Sequence, residues 1–263
     1  MLRVLILGGT GVAAELTARL NNITGIEAIA SLAGRTREPV APVGNVRIGG
    51  FGGVTGLAEY LQHQKIDVLI DATHPFANHI SWNATAAATQ AGIPRLLVNR
   101  PPWEKQPGDI WIEVENNTEA AKLLANQALE NQALENQLFK HQTKRVFLTI
   151  GRQEISAFSH LQEMWFLMRM IDPPNADVVI PPGLMLFDRG PFTFDDEREI
   201  LTKYNIDTIV SKNSGGNATY PKIIAAREMG IKVVMVKRPP VPPGELVADV
   251  ESAVKWLLEK VGS

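Results

Sequence analysis

Six residues near the start of the chain, Gly9-Thr10-Gly11-Val12-Ala13-Ala14, have the spacing of a phosphate-binding turn. They read G-x-G-x-x-A, after the apolar run Leu2 to Leu7 and before a helical repeat through Val12, Leu16 and Leu20. In such a turn Gly9 permits the tight bend, Gly11 the close approach of a pyrophosphate, and Ala14 tight packing of helix on strand. The amides that open the helix, Val12 included, then face the phosphates, helped by the helix dipole. Glycine-rich turns also occur in α/β domains without a nucleotide. The strand-to-helix setting is what points to one here.

The second strand candidate, Ile26 to Leu32, decides which nucleotide. An acid near its end would hold a ribose 2′-hydroxyl. Instead the chain runs Ser31-Leu32-Ala33-Gly34-Arg35-Thr36-Arg37, with no acid before Glu38. Ser31, Arg35 and Thr36, around Gly34, suit a 2′-phosphate, because a guanidinium matches phosphate in a forked geometry. Without a nucleotide the same stretch is a basic surface loop. NADP is therefore expected over NAD.

Two further stretches carry polar chemistry at predicted strand ends. Asp71-Ala72-Thr73-His74-Pro75-Phe76-Ala77 closes a strand at Val68 to Ile70, and Pro75 keeps His74 out of helix. Ligands of open α/β sheets bind outside the carboxyl ends of strands, where this loop lies. On spacing alone His74 reads as a structural histidine. Lys212-Asn213-Ser214-Gly215-Gly216 follows a strand at Thr208 to Ser211, with a helix expected from Asn217 to Glu228. A lysine, small polar side chains and amides at a helix start suit carboxylates or phosphates.

The elements that must position these residues alternate between short apolar runs and helical patterns, which gives an α/β class. Further strands are expected at Val46 to Ile48, Arg95 to Val98, Ile110 to Val114, Val146 to Ile150, Met164 to Met170 and Lys232 to Val236. Helices are expected at Val54 to Gln64, Asn78 to Ala91, Thr118 to Gln137 and Asp249 to Val261. Pro173-Pro174 and Pro181-Pro182-Gly183 read as breaks. Thr193 caps a helix whose first turn holds Asp195, Asp196 and Glu197, an acidic run read as helix-end electrostatics. The tandem NQALE at 126–135 has a five-residue period. That period does not match about 3.6 residues per turn, so it reads as an exposed, dispensable extension without chemistry.

Two stretches repeat one another. Ile66-Asp67, a strand, the DATHP loop, a helix, Ala91-Gly92-Ile93, a strand and Arg100-Pro101-Pro102 match Ile206-Asp207, a strand, SKNSG, a helix, Met229-Gly230-Ile231, a strand and Arg238-Pro239-Pro240. This predicts two similar halves, 1–144 with the nucleotide turn and 145–263 with an anionic-substrate surface.

Composition bounds the rest. At 263 residues, 45% hydrophobic and 21% charged, the chain is ordinary for a soluble globular protein. A net charge of −2 gives no global attraction to nucleic acid or anionic membrane, so an anionic ligand must meet local cations. There is no cysteine, which excludes disulfides and thiolate chemistry. No apolar run reaches membrane-span length and no leader pattern precedes the first strand, so a cytosolic protein is expected. His63, His74, His79, His141 and His160 form no close metal-ligand set.

With GGTG at Gly8–Gly11, SLAGR at Ser31–Arg35, DATHPFA at Asp71–Ala77, TIGR at Thr149–Arg152, RGPF at Arg189–Phe192 and SKNSGG at Ser211–Gly216, the chain resembles the precorrin-6A reductase family. That cobalamin-pathway family includes the cobalt-precorrin-6A reductases. The resemblance runs almost end to end, the NQALE repeat excepted. It implies two Rossmann-like domains with mostly parallel sheets and an active-site cleft between them. It also implies NADPH-dependent reduction of one macrocycle double bond.

On that resemblance Gly9, Thr10, Gly11, Val12, Ser31, Gly34, Arg35 and Thr36 would hold NADPH, with Ala72, Thr73, His74 and Pro75 beside the nicotinamide. Arg152, Lys212, Asn213, Ser214, Gly215 and Gly216 would hold carboxylates of the anionic tetrapyrrole, with Arg100 and Arg189 as further candidates. His74 or Lys212, or water, would supply the proton that completes the reduction. A monomer or small homo-oligomer is expected, with no nucleic-acid or membrane partner. Two alternatives share the fold. A short-chain-type reductase or epimerase would use Tyr-x-x-x-Lys, but Tyr60, Tyr204 and Tyr220 are followed four residues on by Gln64, Thr208 and Ile224. A non-catalytic NADP-binding sensor would need no such motif.

Overall fold

The computed structural model describes residues 1–34, 44–135 and 143–261. The elements in chain order are β1 (Leu2–Leu7), α1 (Gly11–Asn21), β2 (Ile26–Leu32), β3 (Asn45–Ile48), α2 (Gly53–His63), β4 (Val68–Asp71), α3 (Asn78–Ala91) and β5 (Arg95–Val98). Next come β6 (Trp111–Val114), α4 (Asn117–Glu135), β7 (Arg145–Thr149), β8 (Trp165–Met170), β9 (Gly183–Phe187) and α5 (Phe194–Lys203). The chain closes with β10 (Thr208–Lys212), α6 (Pro221–Glu228), β11 (Lys232–Val236), β12 (Glu245–Val247) and α7 (Val250–Val261). No helix among the described residues is long and apolar enough to cross a membrane.

Among the described residues the strands form two six-stranded sheets, ordered β12-β5-β4-β1-β2-β3 and β6-β11-β10-β7-β8-β9. Every pairing is parallel. A parallel strand covered on both faces must be apolar on both, which is why β1 reads as an unbroken run. Val4 and Ile6 pack with Leu16, Leu20, Ala253 and Leu257 of α1 and α7. Leu5 and Leu7, on the opposite face, pack with Leu57 and Leu61 of α2 and with Ala84 and Ala88 of α3. In the second sheet Phe147, Ile209 and Met235 meet Leu201 of α5 and Ile223 and Ala226 of α6.

The predicted doubling extends to individual hydrogen bonds. The Arg3 amide donates to Asp67 Oδ2 at 2.7 Å, and the Arg145 amide to Asp207 Oδ2 at 2.8 Å. Just before each aspartate the chain turns through a left-handed residue, Lys65 and Asn205, both at φ 50°. After α3 and α6 the turns repeat again, with Ile93 N to Ala88 O at 3.1 Å and Ile231 N to Ala226 O at 2.8 Å.

The expected division at 144/145 differs from the sheet membership. The compact units are Met1–Pro101 with Pro239–Ser263, and Pro102–Arg238. β6 leaves the first half to pair with β11, and β12 leaves the second to pair with β5. Each half therefore contributes its sixth strand, and the helix that follows it, to the other sheet. The two crossings fall at the two Arg-Pro-Pro tripeptides, where proline removes donors and keeps the chain extended.

Two strands, β9 and β12, were absent from the sequence expectation because β9 starts at the glycine of Pro181-Pro182-Gly183 and β12 follows Pro242-Pro243-Gly244. Both lie at a sheet edge, where donors are needed on one side only and a preceding proline costs little. α6 starts at Pro221 rather than at Asn217, since residues 217–220 form a turn and proline suits the first helical position. Side chains of the NQALE repeat from 128 onward lie outside the described residues, as does the expected extension of its helix beyond Glu135.

Candidate functional site

The glycine turn joins β1 to α1 as predicted. Gly9 sits at φ +102°, a conformation costly for other residues. Thr10 caps α1: its hydroxyl accepts from the Ala13 amide at 3.1 Å and donates to the Ala72 carbonyl at 2.7 Å. The turn is thereby bolted to the loop after β4, and the Thr10 hydroxyl is committed to the protein. The groups left for a phosphate are the amides of Gly11 and Val12, which open the helix without an intrahelical acceptor.

Gly11 is the telling residue. Its backbone needs no glycine, and a Cβ placed there would meet nothing within 4 Å. The protein's own packing gives no reason for glycine, whereas a pyrophosphate lying against the backbone does. A nucleotide fits this turn. A close helix–strand contact is made by Gly8 against Ala13, where an added Cβ would stand 3.2 Å from the Ala13 Cβ, and Ala14 is half-buried.

At the end of β2, Ser31 is buried and Gly34 turns the chain at φ +71°. Arg35 and Thr36 lie outside the described residues. A cation that the sequence reading missed stands beside Ser31. Arg47, on β3, reaches Ser31 Oγ at 3.4 Å, donates to the carbonyls of Gly49 at 2.5 Å and Gly50 at 2.7 Å, and stacks 3.7 Å over the Phe51 ring. Its signal was only positional, since β2 and β3 are adjacent parallel strands in which Ser31 pairs with Arg47.

The loop after β4 is rooted in Asp71, which is fully buried. Its Oδ1 accepts from the Thr73 amide at 3.1 Å and the Thr73 hydroxyl at 2.7 Å, while Oδ2 is buried with no hydrogen-bond partner among the described residues. Ala72 is buried, and its amide donates to the Leu7 carbonyl at 2.9 Å. Pro75 lies in a turn closed by the Ala77 amide on the His74 carbonyl at 2.7 Å. His74 Nδ1 accepts from the Phe76 amide at 3.2 Å, so the proton of the neutral ring is assigned to Nε2.

In the second unit the SKNSGG loop follows β10, with Gly215 and Gly216 at φ +66° and +75°. Lys212 Nζ pairs with Glu154 at 2.5 Å, and Glu154 also accepts from Asn117 Nδ2 at 2.7 Å. Asn213 differs from its expected role. Its side-chain amide is spent on the Trp103 backbone, with Trp103 N to Oδ1 at 2.7 Å and Nδ2 to the Trp103 carbonyl at 3.0 Å. Trp103 Nε1 also holds the Gly216 carbonyl at 2.8 Å. Ser214 is buried, its amide on the Lys212 carbonyl at 2.7 Å.

α6 begins beyond the loop and with a proline, so the amides of residues 215–217 belong to the loop and not to the expected helix start. Arg152 donates to the Pro173 carbonyl at 2.9 Å, Arg189 is exposed after β9, and burial lowers the pKa of the half-buried Arg100. Behind the loop Lys222 is buried, with Nζ on the Thr219 carbonyl at 2.9 Å and 4.9 Å from the Trp103 ring. Burial pushes its pKa down to about 7, against a smaller opposing pull from Glu197. Among the described residues no three His, Asp or Glu side chains are arranged to hold a metal.

A family model described as "Precorrin-6x reductase CbiJ/CobK" matches residues 3–258. A Rhodococcus erythropolis protein named precorrin-6A reductase is 48% identical over 259 residues, covering 98% of both chains. A Methanococcus maripaludis protein named cobalt-precorrin-6A reductase is 32% identical over 187 residues, 70% of this chain and 68% of that protein. A solved structure titled "CobK precorrin-6A reductase" superposes with a TM-score of 0.86 at 39% identity, covering 98% of this chain and 97% of that one.

Proposed function

The chain belongs to the precorrin-6x reductase CbiJ/CobK family, and from that premise we infer how its residues divide the work. Its reaction is the NADP-dependent reduction of precorrin-6A in cobalamin biosynthesis. The observation that carries the cofactor assignment is Gly11, a helix-opening glycine that neither backbone conformation nor packing requires.

NADPH would rest on Gly9, Gly11 and Val12, with Thr10 fixing the turn to Ala72 rather than touching phosphate. Ser31, Gly34, Arg35 and Thr36 would hold the 2′-phosphate, joined by Arg47. Ala72, Thr73, His74 and Pro75 would flank the nicotinamide. Bound there, the cofactor supplies the hydride, and the protein's part is alignment and charge. Lys212, Ser214, Gly215 and Gly216, with Arg152, Arg100 and Arg189, would hold the carboxylates of the macrocycle. A proton is needed at the carbon next to the one reduced. Two groups of this chain can carry it, His74 through Nε2 and Lys212 through Nζ, with water as the third source.

The metal-free macrocycle is the proposed substrate. Likeness to a protein named for it extends over nearly the whole chain, and likeness to one named for the cobalt form is lower and partial. Anaerobic turnover tests this directly. Loss of reduced nicotinamide absorbance with metal-free but not cobalt-bound precorrin-6A is the expected result. Consumption with the cobalt complex alone would reverse the assignment. Binding of NADPH without turnover of either would favour the sensor.

A further inference from the structure

Three carbonyls of the loop 213–217 are held by side chains at the two ends of the second unit. Arg238, the last residue before the second chain crossing, donates Nε to the Asn213 carbonyl at 2.7 Å and Nη2 to the Ser214 carbonyl at 2.9 Å. Trp103, just after the first crossing, holds the Gly216 carbonyl and the Asn213 side chain. The carbonyls so held are those of Asn213 and Ser214, in consecutive peptide units, and that of Gly216, with Gly215 between. The amides of Gly215, Gly216 and Asn217 donate to no acceptor among the described residues. A peptide unit whose carbonyl is fixed has its N–H fixed in the opposite sense, because the unit is planar. A guanidinium can fix two carbonyls at once, since its donors form a rigid fork.

We propose that Arg238 is a positioning residue for precorrin binding, which by clamping the Ser214 carbonyl turns the Gly215 amide to a substrate carboxylate, as Trp103 on the Gly216 carbonyl does for the Asn217 amide. The proposal rests on the assignment of this loop to the macrocycle. Successive amides in a turn can form an anion-binding concavity, and the loop that carries Gly215 and Gly216, both at positive φ, supplies such amides. Fixing them in advance spares the ordering cost when the anion arrives.

Arg238→Ala and Arg238→Lys separate this role from a merely structural one. The expected result for Arg238→Ala is a KM for precorrin-6A raised about tenfold, with kcat and the NADPH Kd within about twofold of the parent enzyme. Arg238→Lys keeps the charge but not the fork, and should recover only part of the loss; it carries the test if the alanine variant does not fold. In amide NMR spectra the Gly215 resonance should shift on adding precorrin-6A to the parent enzyme and shift less in the variants.

An unchanged KM would overturn the proposal. So would equal losses of precorrin and NADPH binding together with a lowered Tm. A raised KM with a normal Gly215 shift would overturn it too, and would make Arg238 a direct ligand. A parent enzyme that binds NADPH but shows no precorrin-6A binding would instead defeat the functional reading beneath it.

Discussion

The Thr10 hydroxyl joins two loops 62 residues apart, donating to the Ala72 carbonyl at 2.7 Å while it caps α1. One side chain thus sets both the phosphate turn and the loop assigned to the nicotinamide. Thr10→Val keeps the shape and removes both bonds. It should cost about 1 kcal/mol of stability in urea unfolding and weaken NADPH several-fold. Thr10→Ser should keep both properties near the parent values.

Gly11→Ala makes the opposite distinction. Open space and an ordinary backbone mean stability should change by less than about 0.5 kcal/mol. NADPH affinity should fall about tenfold or more, because the methyl occupies the approach to the pyrophosphate. Unaltered NADPH titrations would remove the nucleotide from this turn.

Arg47→Met tests the added cation beside Ser31. Loss of a charge-assisted contact to the 2′-phosphate should raise the NADPH Kd about tenfold and leave NADH binding near its parent value. Equal weakening of both nucleotides would restrict Arg47 to holding the Gly49 and Gly50 carbonyls.

Lys212 and Glu154 should respond in opposite directions. Lys212→Ala removes a cation assigned to substrate and should raise the precorrin KM about tenfold with NADPH affinity unchanged. Glu154→Gln removes the carboxylate that competes for Lys212 and should lower that KM. A rise in NADPH Kd for Lys212→Ala would move the lysine to the cofactor.

Lys222 predicts a pH dependence of stability. Facing it are Glu197 of α5, Arg169 of β8 and the Trp103 ring, and burial lowers its pKa from the ordinary lysine value of 10.5 to about 7. Between those two values the unfolded chain holds a proton that the folded chain lacks, so this group's contribution rises with pH across that window. The slope is at most about 1.4 kcal/mol per pH unit. Lys222→Met should therefore be more stable than the parent near neutral pH, with the difference shrinking as pH rises toward 10.5. A constant difference from pH 7 to 10 (about the span of the shift) would contradict the depressed pKa.

Local chemistry was legible in the residues alone. Thr193 does cap α5, in a reciprocal box with Asp196, whose pKa those hydrogen bonds lower. Glu197, in the same acidic run, is instead buried and paired with Arg169 at 2.7 Å. A cap is decided within a few residues, whereas Arg169 arrives from another strand. The glycine turn and both polar loops fell where alternating strand and helix patterns put them, because backbone periodicity is a local property.

The sequence by itself determined two parallel α/β halves, a glycine turn suited to a nucleotide and a loop suited to anions, since each depends on neighbours along the chain. Only the tertiary structure decided that β6 and β12 each join the other half's sheet, that Arg47 comes beside Ser31, and that the Asn213 side chain bonds the Trp103 backbone. Those outcomes rest on hydrogen bonds between distant segments. Trp103 and Asn213 are 110 residues apart, and nothing in the spacing of either predicts which groups the other will satisfy.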